Sequence, residues 1–92
     1  MNREYLKKEI KEALERSLIF YPFTDEKIDK LTDLLVKHQS EIMTAMQNIS
    51  NNDAQDKWRK RFFEYAVMCA DSIETFEYID DSLIEYVLEE MS

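Results

Sequence analysis

The segment FTDEKIDKLTDLLVKHQSEIMTAMQNI, residues 23–49, carries the most regular helical pattern in the sequence. Thr24 is a natural N-cap residue, and the two acids that follow it suit the positive end of a helix. Phe23 and Ile28 have the spacing of a hydrophobic staple, which sets the entry of the chain into the helix. From there an apolar stripe with one histidine recurs every three or four residues: Ile28, Leu31, Leu35, His38, Ile42, Ala45 and Ile49.

This second helix of the chain, predicted over residues 25–49, has apolar residues on more than one side. Leu34 and Met46 widen the stripe, whereas Val36 and Met43 lie off it. A helix of this kind usually packs against more than one neighbour. We therefore expect it at the centre of a helical bundle.

The first helix is predicted to end near Phe20, because Pro22 disfavours helical geometry at the residue before it. The run Leu18–Phe23 then either seals one end of the bundle or forms an exposed aromatic anchor of the kind that dominates protein interfaces. The stripe of the first helix has helical spacing: Leu6, Ile10, Ala13, Leu14, Ser17, Leu18 and Tyr21.

Two more helices follow a polar loop at residues 50–53. One of its asparagines, Asn51 or Asn52, is expected to close the second helix. Asp53 is expected to cap a third helix, which runs from about residue 54 to the high seventies. Asp80–Ser82 offers caps for a short fourth helix, which is either separate or continuous with the third in one bent helix. The sequence thus predicts an all-α fold, a compact bundle of about four helices in a single domain, residues 1–92.

The composition excludes several kinds of ligand site. The chain has 92 residues but no Gly, where an average frequency of about 7% would supply roughly six. Phosphate-binding loops, dinucleotide fingerprints and EF-hand loops in their usual forms all need Gly. A single cysteine, Cys69, rules out an intrachain disulfide, and a single histidine, His38, rules out a zinc site built mainly from Cys and His. The free thiol and the lack of a long apolar run lead us to expect a cytoplasmic protein that does not enter a membrane.

Charge is divided unevenly along the chain. Residues 1–70 contain as many acids as Lys and Arg, so the formal charge of −8 belongs entirely to residues 71–92. Like charges one turn apart destabilise a helix by about 0.2–0.5 kcal/mol per pair, so complete segregation favours a role for these carboxylates. The residues predicted to bind a partner form the C-terminal acidic face: Asp71, Glu74, Glu77, Asp81, Glu85, Glu89 and Glu90.

The predicted function is a non-enzymatic binding protein whose C-terminal acidic face docks on a basic surface of a partner protein. By analogy, small acidic helical proteins act as phage or mobile-element inhibitors, as DNA mimics, or as antitoxins and immunity proteins. The partner would then be a nucleic-acid-binding protein or a nuclease. In the alternative, the chain is an assembly protein, a homodimer or a subunit of a larger complex. Its acidic face is then merely solubilising, and Val36 and Met43 belong to an interface.

A basic segment near the start of the third predicted helix is the second candidate. Lys57, Arg59, Lys60 and Arg61 are interleaved with aromatic residues, a pattern that can bind single-stranded nucleic acid. The overall charge of −8 opposes binding to a polyanion, so we expect no direct nucleic-acid binding. The third helix is basic at its start and acidic at its end, which favours an antiparallel partner helix, either in the same chain or across a two-fold dimer.

No arrangement in the sequence favours catalysis, a metal or a cofactor. Acid pairs with helical spacing occur at Glu12/Glu15, Glu74/Glu77 and Glu77/Asp80, but such pairs are common in a chain with 20 acids. His38 and Cys69 could form a nucleophile and base only across the bundle. A histidine on an apolar stripe is more often a core residue that needs a hydrogen-bond partner. If that site disfavours the charged form, mild acid destabilises the fold.

Overall fold

In a computed structural model, which describes residues 1–19 and 22–92, the chain forms five α-helices and one short 3-10 helix. No strand occurs in these ranges, which confirms the all-α prediction. None of the helices described is long and apolar enough to cross a bilayer. The helices are α1 (Arg3–Arg16), α2 (Asp25–Lys37), α3 (Gln39–Gln47), α4 (Asn52–Ser72) and α5 (Asp81–Glu90), with the 3-10 turn at Phe76–Tyr78.

The core is built mainly from α1, α2, α4 and α5. Both α2 and α4 contact three other helices, so the central position expected for the second helix is shared between them. The largest fully buried side chains are Phe62 and Phe63 of α4, whose rings meet edge to face at 5.6 Å. Burial of an apolar side chain of this size contributes about 1.5–3 kcal/mol. The apolar core contains Leu6, Ile10, Ala13, Ile28, Leu31, Leu35, Ile42, Phe62, Phe63, Ala66, Val67, Ala70, Ile79, Leu83, Ile84 and Val87.

The second predicted helix is broken at His38, which corrects the expectation of one continuous element. The His38 backbone has φ −102° and ψ 13°, outside helical geometry, and α3 begins at the next residue. Hydrogen bonding nevertheless continues across the break, because His38 N–H donates to Leu34 C=O and Ile42 N–H donates to His38 C=O. Five helices therefore stand where about four were predicted.

Several predicted ends also differ from the structure. Thr24 caps α2 as expected, since its hydroxyl accepts from Lys27 N–H. Asn51, however, caps the start of α4, because its side-chain oxygen accepts from the N–H groups of Asp53 and Ala54. Neither Asn51 nor Asp53 therefore has the expected role. Asn48 closes α3. The third and fourth predicted helices are separate, because α4 ends at Ser72 and Asp80 caps α5.

The first helix ends at Arg16, earlier than expected, and the predicted end at Phe20 lies outside the described residues. Ile19 and Phe23 pack against the core, whereas Leu18 is 76% exposed, so two of the described residues of the Leu18–Phe23 run help to seal the bundle, and Tyr21 also lies outside the described residues. Leu18 has φ 48°. In a chain without glycine, this leucine takes the left-handed position that commonly follows a helix.

Leu18→Gly is expected to raise the free energy of unfolding by about 0.5–1 kcal/mol. The change removes a left-handed penalty of about 1–2 kcal/mol, part of which is offset by the larger backbone entropy of unfolded glycine. Urea denaturation followed by circular dichroism measures the difference. Lys11→Gly, at an exposed position inside α1, is the control and should lower stability by about 1 kcal/mol. A loss of stability in both variants would contradict the assignment of strain to Leu18.

Candidate functional site

The acidic C-terminal segment lies along α2, whose lysines contact it at successive points. Lys27 Nζ donates to Ile73 C=O at 3.1 Å, and Lys30 Nζ donates to Phe76 C=O at 2.9 Å. Lys30 also lies 4.5 Å from the centre of the Phe76 ring, a cation–π contact. The linker between α4 and α5 is therefore held by positive charge from another helix, which the charge count along the sequence does not reveal.

Asp81, in the first turn of α5, makes the strongest of these links. Its two carboxylate oxygens lie 2.8 Å from Lys37 Nζ and 2.8 Å from His38 Nε2. The hydrogen bond from Lys37, followed by that from His38, lowers the pKa of Asp81. Asp81 was predicted to bind a partner, but its carboxylate is occupied within the chain and anchors α5.

His38 sits between two carboxylates at the break that separates α2 from α3. Its Nδ1 lies 3.1 Å from Glu41 Oε1, while Nε2 faces Asp81. Neutral imidazole has one N–H, whereas two carboxylate acceptors need two donors, so the cation suits this site. Burial, the largest single influence, lowers the pKa of His38, but the hydrogen bonds to Asp81 and Glu41 outweigh it and raise the pKa above 6.5.

This geometry bears on two interpretations of His38. Its site favours the charged form, so mild acid preserves the fold through this residue instead of destabilising it. A catalytic pairing with Cys69, which the sequence did not favour, has no support in the structure either, since both ring nitrogens face carboxylates. Burial, followed by the charge of Glu90, raises the pKa of the Cys69 thiol, which disfavours the reactive thiolate.

The exposed face of α5 is where the remaining acids gather. Leu83, Ile84 and Val87 are buried on the inner side. The opposite side is solvent-exposed, and we call it the α5 outer face: Glu85, Tyr86, Glu89 and Glu90. Glu85 and Glu89 are one turn, about 5.4 Å, apart along the helix, and no ion pair within the described chain involves either.

Exposed aromatic rings accompany these acids, and the sequence analysis missed them. Tyr86 is 53% exposed on the α5 outer face, and Tyr78 is 69% exposed in the linker. Glu74 and Glu77 are exposed in the same linker, whereas Asp71, at the end of α4, is half-buried. The sequence did indicate that Tyr86 is exposed, because Tyr86 lies off the apolar stripe of the fourth predicted helix.

Glu90 has different neighbours from the other acids of the α5 outer face, because α5 runs antiparallel to α4 and its end lies near the start of that helix. The Trp58 indole N–H donates to Met91 C=O at 3.3 Å, which brings the end of α5 to the start of α4. Glu90 therefore borders a groove together with Lys57 and Arg61. The antiparallel partner expected for the third helix is thus present within the chain, and it brings acidic and basic helix ends together.

The fold separates the four cations in the basic segment of α4 into two that are ion-paired and two that are free. Arg59 contacts Glu9 and Asp56, and Lys60 contacts Asp56. Within the described chain, Lys57 and Arg61 form no ion pair. Two of the three aromatic residues in the segment, Phe62 and Phe63, are fully buried and unavailable for stacking on a base.

Residues 1–19 and 22–92 contain no group of three or more His, Cys, Asp or Glu side chains arranged to hold a metal ion. Of the acid pairs with helical spacing, Glu12 and Glu15 border a shallow surface depression together with Lys8 and Lys11. Glu74, Glu77 and Asp80 lie in or next to the linker, and Asp80 is occupied as the cap of α5.

Arg59→Ala is expected to lower the free energy of unfolding by about 3 kcal/mol, because it leaves the Glu9 carboxylate buried without its cation. The Glu9 side chain is only 6% exposed, and its Oε2 has no hydrogen-bond partner among the described residues. Chemical denaturation at pH 7 measures the loss. Arg61→Ala, two residues away and free of ion pairs, should cost less than about 0.5 kcal/mol. Equal losses in the two variants would refute a structural role specific to Arg59.

The stability of the protein is expected to fall as pH rises from about 6.5 through the raised pKa of His38. A group whose pKa is higher in the folded state stabilises the fold fully below its unfolded pKa, and that contribution is lost above the folded one. NMR titration of the single histidine gives the folded pKa, and each unit of increase predicts a loss of about 1.4 kcal/mol. His38→Gln should remove this dependence. A wild-type protein that gains stability over the same range would show the sign to be wrong.

Comparison of the chain with protein-family models, with curated proteins and with solved structures gave no match. Two surfaces of the described chain carry charged groups without an ion-pair partner: the α5 outer face, with free carboxylates beside an exposed tyrosine, and the groove that holds the two free cations of α4.

Proposed function

We propose that this protein is a non-enzymatic binding protein whose α5 outer face docks on a basic surface of a partner protein. One observation carries the proposal. Glu85 and Glu89 lie one turn apart, flank an exposed Tyr86, and have no ion-pair partner in the described chain. By contrast, Asp29, Asp56 and Asp81 are paired with Lys or Arg.

The chemistry of this face suits a partner that presents arginine or lysine. Each carboxylate can accept charge-assisted hydrogen bonds, and the Tyr86 ring offers a face on which a guanidinium can stack. Tyrosine is among the residues that supply most of the binding energy in protein interfaces. The net charge of −8 steers a basic partner toward the protein during encounter.

Rigid support for the face comes from contacts on the other side of α5. Asp80 caps the helix, Asp81 is bound to Lys37 and His38, and the apolar side is buried in the core. Little side-chain and backbone order has to be gained on binding, which reduces the entropic cost of association. For the same reason Asp81 is removed from the contact residues and treated as an anchor.

A partner surface that otherwise binds nucleic acid would be blocked by such contacts, so inhibition is the proposed outcome. Duplex DNA carries one charge per ~3.4 Å along each strand, whereas one ridge of a helix carries one per turn of about 5.4 Å. The α5 outer face therefore suits one basic patch rather than imitation of an extended duplex.

The proposal predicts that Glu85→Lys/Glu89→Lys abolishes capture of the partner. Tagged wild-type protein would be incubated with nuclease-treated lysate of the source cell, eluted with stepped salt and analysed by mass spectrometry. We expect a nucleic-acid-binding protein that elutes at moderate salt, since exposed ion pairs are screened, and that binds the double variant at least about tenfold more weakly. Tyr86→Ala should weaken binding without altering the salt dependence.

Glu12→Lys/Glu15→Lys is the matched control, because it makes the same change in net charge on α1. It should retain the partner, and all variants should keep the helical circular dichroism of the wild type. Equal retention on both double variants at high salt would overturn the proposal. The assembly alternative would then be tested by sedimentation, although Val36, one of its predicted interface residues, packs against the core and Met43 is half-buried.

A further inference from the structure

A groove of about 400 Å³ lies where the start of α4, the α3–α4 loop and the end of α5 meet. One wall is a single face of α4, with Lys57, Trp58, Arg61 and Tyr65 at successive turns. Ile49 from the loop and Met91 from beyond α5 add apolar surface. This groove is separate from the α5 outer face used above, except that Glu90 borders both.

The groove concentrates positive charge that the fold leaves uncompensated. Lys57 and Arg61 are one helical turn apart and form no ion pair with the described residues. Their neighbours Arg59 and Lys60 are bound to Glu9 and Asp56, and the α2 lysines are bound to the C-terminal segment. Glu90 borders the groove but lies beyond ion-pair distance of both cations.

The apolar part of the groove is held in place before any ligand arrives. Trp58 stacks on the buried Phe62 ring, with 5.3 Å between centroids and 13° between planes. Its indole N–H is bound to Met91 C=O, so the ring orientation is fixed from two sides. An aromatic wall that is already ordered binds an apolar group without a further entropic cost.

We propose that this groove binds an acidic amphipathic peptide segment of a partner protein. Two carboxylates one turn apart on the segment would contact Lys57 and Arg61, and an apolar side chain between them would lie against Trp58 and Tyr65. Helix-in-groove recognition commonly takes this form. Single-stranded nucleic acid fits less well, because two free cations match two carboxylates but not a longer run of phosphates.

Trp58 is the only tryptophan of the chain, so its fluorescence reports on the groove directly. The probe is a short helical peptide, blocked at both ends, with two glutamates one turn apart and leucine and phenylalanine between them. We expect a saturable change in Trp58 emission. A peptide with glutamine in place of glutamate should bind at least about tenfold more weakly, since each lost charged hydrogen bond costs about 1.5 kcal/mol or more.

Lys57→Gln/Arg61→Gln should reduce peptide affinity by the same factor, and thermal unfolding should show it folded, because neither side chain is ion-paired in the described chain. Lys8→Gln/Lys11→Gln, which neutralises two exposed lysines of α1, is the matched control and should bind like the wild type. Unchanged affinity in the groove variant, or no response to the acidic peptide, would overturn the proposal. A response to oligothymidylate in its place would assign the groove to nucleic acid and also overturn it.

Discussion

The carboxylate of Asp81 links the start of α5 to the end of α2 and to the break before α3, and the arrangement of these three helices depends on this link. It binds Lys37 at the end of α2 and His38 at the break before α3, each at 2.8 Å. Because Asp81 is in the first turn of α5, the same contacts hold the start of that helix, which Asp80 caps, against α2. Other connections of this short helix run to α4, through an eight-residue linker, its own apolar side and the hydrogen bond from Trp58 to Met91.

This anchoring explains how an acidic segment without a single Lys or Arg can pack in a protein. Residues 71–92 draw positive charge from α2, through Lys27 and Lys30 at the linker and Lys37 at α5. Carbonyl oxygens accept two of these three contacts, so the side-chain carboxylates of the linker stay exposed. The acids of the α5 outer face are exposed and form no ion pair within the described chain.

The fold therefore divides charged residues that are neighbours in the sequence into those that are paired within the chain and those that are not. Of four basic residues in one segment of α4, Arg59 is held in a largely buried pair with Glu9, Lys60 forms an exposed pair with Asp56, and the two at the groove remain free. The same holds for the acids, where Asp81 is an anchor and Glu85 is free. Free groups of opposite sign lie on neighbouring surfaces, so the protein can offer a basic partner and an acidic segment separate binding places.

Helical periodicity, the Thr24 cap and the polar residues around positions 50 and 80 were sufficient to predict an all-α fold, the starts of α2 and α5, and the loop near position 50, but not the linker that begins after Ser72. These features are local, because caps and apolar spacing act within a few residues. The break at His38 escaped prediction, since it contains no Gly or Pro, and the carboxylate that contacts it lies 43 residues away in the sequence. The role of Asn51 was missed because both ends of a loop accept the same residue types.

The sequence by itself determined the helical class, the absence of glycine-dependent ligand loops and the placement of the entire net charge in the last 22 residues. Only the tertiary structure decided which charges are used internally. Pairing of His38 with Asp81, or of Arg59 with Glu9, depends on distances between side chains far apart in the chain. Those pairings, which no local pattern encodes, separate the residues that hold this protein together from those it leaves free to bind.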